Sequence, residues 1–74
     1  MKKVIVIRQE DGIINAHVES HPEKNETGAT IFRAVRRVVL CYPEYLGENP
    51  QVFFRKNNQE EDRFIGLAED IEVS

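Results

Sequence analysis

The sequence predicts a small α+β domain of order ββαββ, with one amphipathic helix packed on one face of a four-stranded, mainly antiparallel sheet. Three observations carry this expectation. Two β-rich runs flank an Asp-Gly pair, residues 28–41 carry apolar side chains at helical spacing, and residues 51–56 are aromatic and β-branched.

The first pair of strands is residues 4–7 and 13–18, joined through Glu10, Asp11 and Gly12. Asp-Gly suits a two-residue type I′ turn. With Asp11 and Gly12 as the whole loop, the ladder pairs Arg8 with Asn15, Ile7 with Ala16, Val6 with His17, Ile5 with Val18 and Val4 with Glu19. Alternation then places Ile5, Ile7, Ile14, Ala16 and Val18 on the core face, and Val4, Val6, Arg8, Asn15, His17 and Glu19 on the other.

Residues 20–26 are polar, contain Pro22 and show no periodicity, so they read as a loop. A helix over 28–41 follows, capped by Thr27 or Asn25 and stopped before Pro43, which disfavours helical geometry at Tyr42. At about 100° per residue, Ile31, Phe32, Ala34, Val35, Val38, Val39, Cys41 and Tyr42 share one half of this helix. Arg33, Arg36, Arg37 and Leu40 occupy the other half.

After the turn-rich stretch 43–50, residues 51–56 form the third strand and 57–62 a polar turn. Residues 63–68 fit two patterns. Phe64, Leu67, Ala68 and Ile71 make a helical stripe with Asn58 and Glu61 as its capping box, yet Gly66 in the middle would cost a helix about 1 kcal/mol. A strand paired with 51–56 is the preferred reading, and the acidic tail 69–74 extends it.

Composition narrows the class further. Seventy-four residues make one domain, 1–74, and 41% apolar with 31% charged residues is a globular balance. A domain of this size is marginal on its own, and with Cys41 as the single cysteine neither an internal disulfide nor a multi-cysteine zinc site can staple it. Self-association is the remaining staple. The lone cysteine, the lack of a secretory pattern and the lack of any apolar run near the roughly 18 residues that span a bilayer lead to the expectation of a cytoplasmic protein away from membranes.

Catalytic constellations are not recognisable. His17, His21 and Cys41 fit no metal-ligand spacing, no serine or cysteine sits in a nucleophile elbow, and the four glycines are isolated from one another. No enzyme activity, cofactor or metal is therefore expected. Two surfaces rise above background. Arg33, Arg36 and Arg37 repel one another at i, i+3 and i+4, which reads either as a solvated face compensated by the acidic residues of 60–72 or, with Leu40 in the middle of the basic arc, as a contact for an anionic partner. The sheet face without a helix mixes Val4, Val6, Arg8, Asn15 and His17 with Phe53 and Arg55, a composition suited to an interface or a polar ligand.

The functional expectation is a small non-enzymatic binding module, a regulator or inhibitor acting through protein contacts as a homo-oligomer. The alternative is a binder of an anionic, nucleotide-like small molecule or of nucleic acid, through Arg8, His17, Phe53 and Arg55 or through the helix arginines, although a net charge of −3 argues against a general nucleic-acid coat.

Overall fold

The computed structural model describes residues 2–56 and 61–71. Residues 57–60 and 72–74, on which the expected polar turn and the end of the acidic tail fall, lie outside the described residues. The elements are β1 (Lys3–Arg8), β2 (Ile14–Val18), β3 (His21–Gly28), α1 (Ile31–Cys41), a single turn α2 (Pro43–Leu46), β4 (Gln51–Arg55) and β5 (Asp62–Leu67). One 3-10 turn, Ala68–Asp70, follows β5. The α+β class and the main helix hold, but the sheet has five strands in the order β3-β2-β1-β4-β5.

The fifth strand is β3, in the stretch expected to be a loop. Its residues are almost all polar because it is an edge, paired on one side to β2 and exposed along most of its length. Such a strand needs no alternating apolar pattern, and Pro22 sits near its start where a missing N–H is tolerated. With those residues in the sheet, α1 begins three residues later than expected. Thr30 caps it, its hydroxyl accepting a hydrogen bond from the Arg33 amide at 3.1 Å. The helix ends at Cys41, as Pro43 requires.

The β1–β2 register differs by one residue from the expected one. Gly12 N–H donates to the Gln9 carbonyl at 2.9 Å, Gln9 N–H donates to the Ile13 carbonyl at 2.8 Å, and Gly12 lies at φ 85°. These bonds close a three-residue loop over Glu10, Asp11 and Gly12, with the glycine in the left-handed position that such loops need. Asp11 Oδ1 also accepts from the Ile13 amide at 3.0 Å, a bond that favours this turn over the type I′ alternative. One extra loop residue moves every side chain of β2 to the opposite partner. Val4 now pairs with Val18, Ile5 with His17, Val6 with Ala16, Ile7 with Asn15 and Arg8 with Ile14.

The consequence is a core of Val4, Val6, Ile14, Ala16, Val18 and Val52 on one side of the sheet, closed by Ala34, Val35 and Val38 of α1 and by Leu46. β1 is the central strand, so Val4, Ile5 and Val6 are all fully buried. Val4 and Val6, expected on the uncovered face, are core residues. Ile5, expected in that core, is on the other side.

At the junction of β3 and α1 the backbones nearly touch. A Cβ on Gly28 would stand 2.6 Å from the Ala34 nitrogen, so only glycine fits here. β4 runs parallel to β1, and β5 returns antiparallel to β4 with an irregularity that leaves Ile65 as an extra residue between Phe64, opposite Phe53, and Gly66, opposite Val52. The strand reading of 63–68 is therefore correct to within a residue, and Gly66 serves the bulge at φ 145°. Cys41, expected to face the core, is exposed.

Candidate functional site

Helix α1 packs on β3, β2 and β1 from one side, and no described element covers the other. Pairing partners share a face, so the uncovered face carries Ile5, His17 and Phe53 in one row, with Ile7, Asn15, Arg55, Asp62 and Phe64 around them. Ile5 is fully enclosed by its neighbours, and His17 is 8% exposed. Phe53 and Phe64 meet edge to face with ring centres 5.4 Å apart. Phe64 is half exposed.

Charged groups on this face are already partnered. Arg55 Nε donates to Asp62 Oδ1 at 2.6 Å and Arg55 Nη2 to Asp62 Oδ2 at 3.0 Å, a bidentate pair. Lys3 Nζ lies 3.9 Å from Glu19 and 5.3 Å from the centre of the Phe53 ring. Asn15 Nδ2 donates to Asn25 Oδ1 at 3.1 Å. Burial, and then the nearby Arg55 guanidinium, push the His17 pKa below its ordinary value, against the opposing pull of Asp62 and Glu19. The hydrogen bond from Arg55 holds the Asp62 carboxyl below its usual value. His17 is thus a nearly buried imidazole in an apolar row whose surroundings disfavour its charged form.

Of the residues expected on this face, Asn15, His17, Phe53 and Arg55 come together there. Val4 and Val6 do not. Arg8 pairs with Ile14, on the helix side, so Arg8 and His17 lie on opposite faces and the anion site that needed both does not exist. Lys3, Ile5, Ile7, Asp62 and Phe64 are the members that the sequence reading missed, all but the last two through the single register slip. The sequence holds no signal that separates the two registers, since Val4 with Val6 and Ile5 with Ile7 are equally apolar partners for Ile14, Ala16 and Val18.

The expected helix face is present. Arg33, Arg36, Arg37 and Leu40 are all exposed, with Leu40 at 69% the most exposed large apolar side chain among the described residues. Arg37 has a structural duty, since its Nη1 donates to the Thr27 carbonyl at 2.9 Å and ties α1 to β3. A groove of about 320 Å³ beside the helix is lined by Phe32, Val39 and Leu40 together with Arg36, Glu48 and Glu69.

The two histidines are separated by the sheet, His21 meeting Tyr45 edge to face at 4.8 Å on the helix side. Among the described residues no three His, Cys, Asp or Glu side chains gather as a metal site would require. No helix among them is long and apolar enough to cross a membrane. No family model, no curated protein and no solved structure matches this chain.

Proposed function

We propose that this chain is a non-enzymatic binding module, a regulator or inhibitor that docks on protein through the uncovered sheet face and works as a homo-oligomer. The observation that carries the reading is the Phe53 and Phe64 pair, in line with Ile5, on a face where Arg55 pairs with Asp62 and Lys3 with Glu19. Aromatic groups with a paired arginine and few net charges suit a protein interface. The complementary partner surface is apolar or aromatic and of low charge. An exposed thiol at Cys41, the single cysteine, fits a reducing compartment, and we place the module in the cytoplasm on that ground.

The anion-binding alternative now rests on the helix. On the sheet, Arg8 lies on the helix side, Arg55 is engaged bidentately by Asp62 and the surroundings of His17 disfavour its charged form, which weakens the cation set that reading needed. Arg33 and Arg36 are exposed and show no ion pair among the described residues, so an anionic surface or nucleotide-like ligand would be met there, next to Leu40.

Native mass spectrometry of the purified protein separates the two. An assembly of whole copies with no retained small molecule supports the docking module. A monomer that carries a nucleotide-sized mass, lost on Arg33→Ala with Arg36→Ala, overturns it in favour of the anion reading.

A further inference from the structure

Five strands about 4.8 Å apart make a sheet about 19 Å wide between its outer strands, and one helix about 10 Å across covers about half of that width. Helix α1 lies over β3, β2 and β1. Beside it, where β4 begins and β5 ends, is the groove of about 320 Å³. Its near wall is a second apolar stripe of α1. Ala34, Val35 and Val38 pack into the core, whereas Phe32, Val39 and Leu40, turned by roughly a third of a revolution, line the groove. A helix that served this sheet alone would need one stripe, and Leu40 at 69% exposure belongs to neither the core nor a polar face. The far wall is already braced. Glu69 N–H donates to Asn49 Oδ1 at 2.8 Å and Ala68 N–H to the Pro50 carbonyl at 2.9 Å, which ties together the two segments that carry Glu48 and Glu69. Charges are sorted by wall. Arg36, with Arg33 one turn before it, stands on α1, Glu48 and Glu69 stand opposite, and no ion pair joins the two walls among the described residues.

We propose that this groove seats an amphipathic helix of a protein partner beside α1, with acidic residues flanking its apolar stripe on the side of Arg33 and Arg36 and basic residues on the side of Glu48 and Glu69. Phe32, Val39 and Leu40 span two turns of α1, so apolar residues at i, i+4 and i+7 of the incoming helix meet them at the roughly 8–10 Å separation of packed helices. The sorted charges select the occupant. A nucleotide or a wholly acidic segment meets the carboxylates of Glu48 and Glu69, and a wholly basic segment meets the arginines, so only a segment with mixed flanks is complementary to both walls. Helix α1 of a second copy does not qualify, because it carries three arginines and no acid to set against Arg33 and Arg36. The seat lies on the opposite side of the sheet from Phe53 and Phe64. It is independent of that face and makes the module two-sided, able to hold one protein on each side.

Two fluorescein-labelled helical peptides of about 15 residues test the seat. Both carry a leucine stripe at i, i+4, i+7 and i+11; one has glutamates along one flank and lysines along the other, and the second has lysines along both. In anisotropy titrations the mixed peptide should bind the parent at least about tenfold more tightly than the lysine peptide. Arg36→Glu should weaken the mixed peptide by about tenfold and strengthen the lysine peptide, and Leu40→Glu should weaken both. Both side chains are exposed, so the thermal melts of the two variants should match that of the parent. Equal affinities for the two peptides, no binding up to about 1 mM, or binding indifferent to Leu40→Glu overturns the seat. Loss of the parent's assembly in sedimentation on Leu40→Glu gives the groove to a second copy, and displacement of the mixed peptide by ATP gives it to an anionic small ligand; either result also overturns the proposal. None of these outcomes bears on the Phe53 and Phe64 face, which has its own test.

Discussion

Arg55 and Asp62 hold each other across the β4–β5 ladder through two hydrogen bonds, on the same face as His17 and beside the Phe53 and Phe64 pair. That pairing decides the character of the surface. It spends the cation that would otherwise attract a phosphate, and it fixes the strand that carries Phe64.

Asp62→Asn should therefore do two things. Losing a partly exposed bidentate pair should lower stability by about 1 kcal/mol at pH 7. The Asp62 pKa is depressed in the folded state, so its contribution is present above the unfolded value and is lost as pH falls through the folded one. Urea titrations should show parent and variant separated at pH 7 and converging below the ordinary carboxyl range.

The histidine has the opposite origin but the same direction. His17 is pushed below its ordinary 6.5, so the unfolded chain takes up a proton first as pH falls. Stability should decline on acidification from about pH 6.5 to the folded-state value, by at most about 1.4 kcal/mol per pH unit from this group, and then level off with respect to it. His17→Gln should flatten that limb. NMR titration of the imidazole checks the cause directly, with a midpoint below the ordinary 6.5 expected.

Gly28 tests the contact between β3 and α1. An alanine there meets the Ala34 nitrogen at a distance that backbone cannot yield without shifting the strand, so Gly28→Ala should cost about 1–3 kcal/mol in a thermal or urea melt. Gly47→Ala, where a Cβ meets nothing within 4 Å, separates crowding from backbone strain at φ 68°.

The three arginines of α1 should behave unequally. Arg37→Ala removes the bond to the Thr27 carbonyl and should lower stability by about 1 kcal/mol, whereas Arg33→Ala and Arg36→Ala should change it by less than about 0.5 kcal/mol. Equal effects at all three positions would show that Arg37 does not tie the helix to the edge strand.

Much of this was legible in the sequence, and the misses have definite causes. The hairpin, the helix stop at Pro43, the strand at Gln51–Arg55 and the exposed arc of Arg33, Arg36, Arg37 and Leu40 follow from local pattern and punctuation. β3 was hidden because an edge strand needs no apolar alternation, and its Glu, Lys and Asn residues protect the edge in the sheet just as they would solvate a loop. The faces of β1 were inverted because Asp11-Gly12 fits both a two-residue and a three-residue loop, and the choice between them flips every side chain. Phe53 and Arg55 kept their face, since β4 sits parallel to β1 and owes its register to no hairpin loop with it. Asp62 as the partner of Arg55 depends on the pairing of β4 with β5, which spacing alone does not determine.

The most direct test of the sheet face as the docking surface is hydroxyl-radical footprinting of the purified protein, dilute and then concentrated to about a hundred micromolar, well into the range where weak interfaces assemble. Oxidation of Phe53 and Phe64 should fall on concentration while that of Leu40, equally apolar and more exposed, stays constant. Protection of Leu40 with Phe53 and Phe64 unchanged would contradict the account and move the docking surface to the helix.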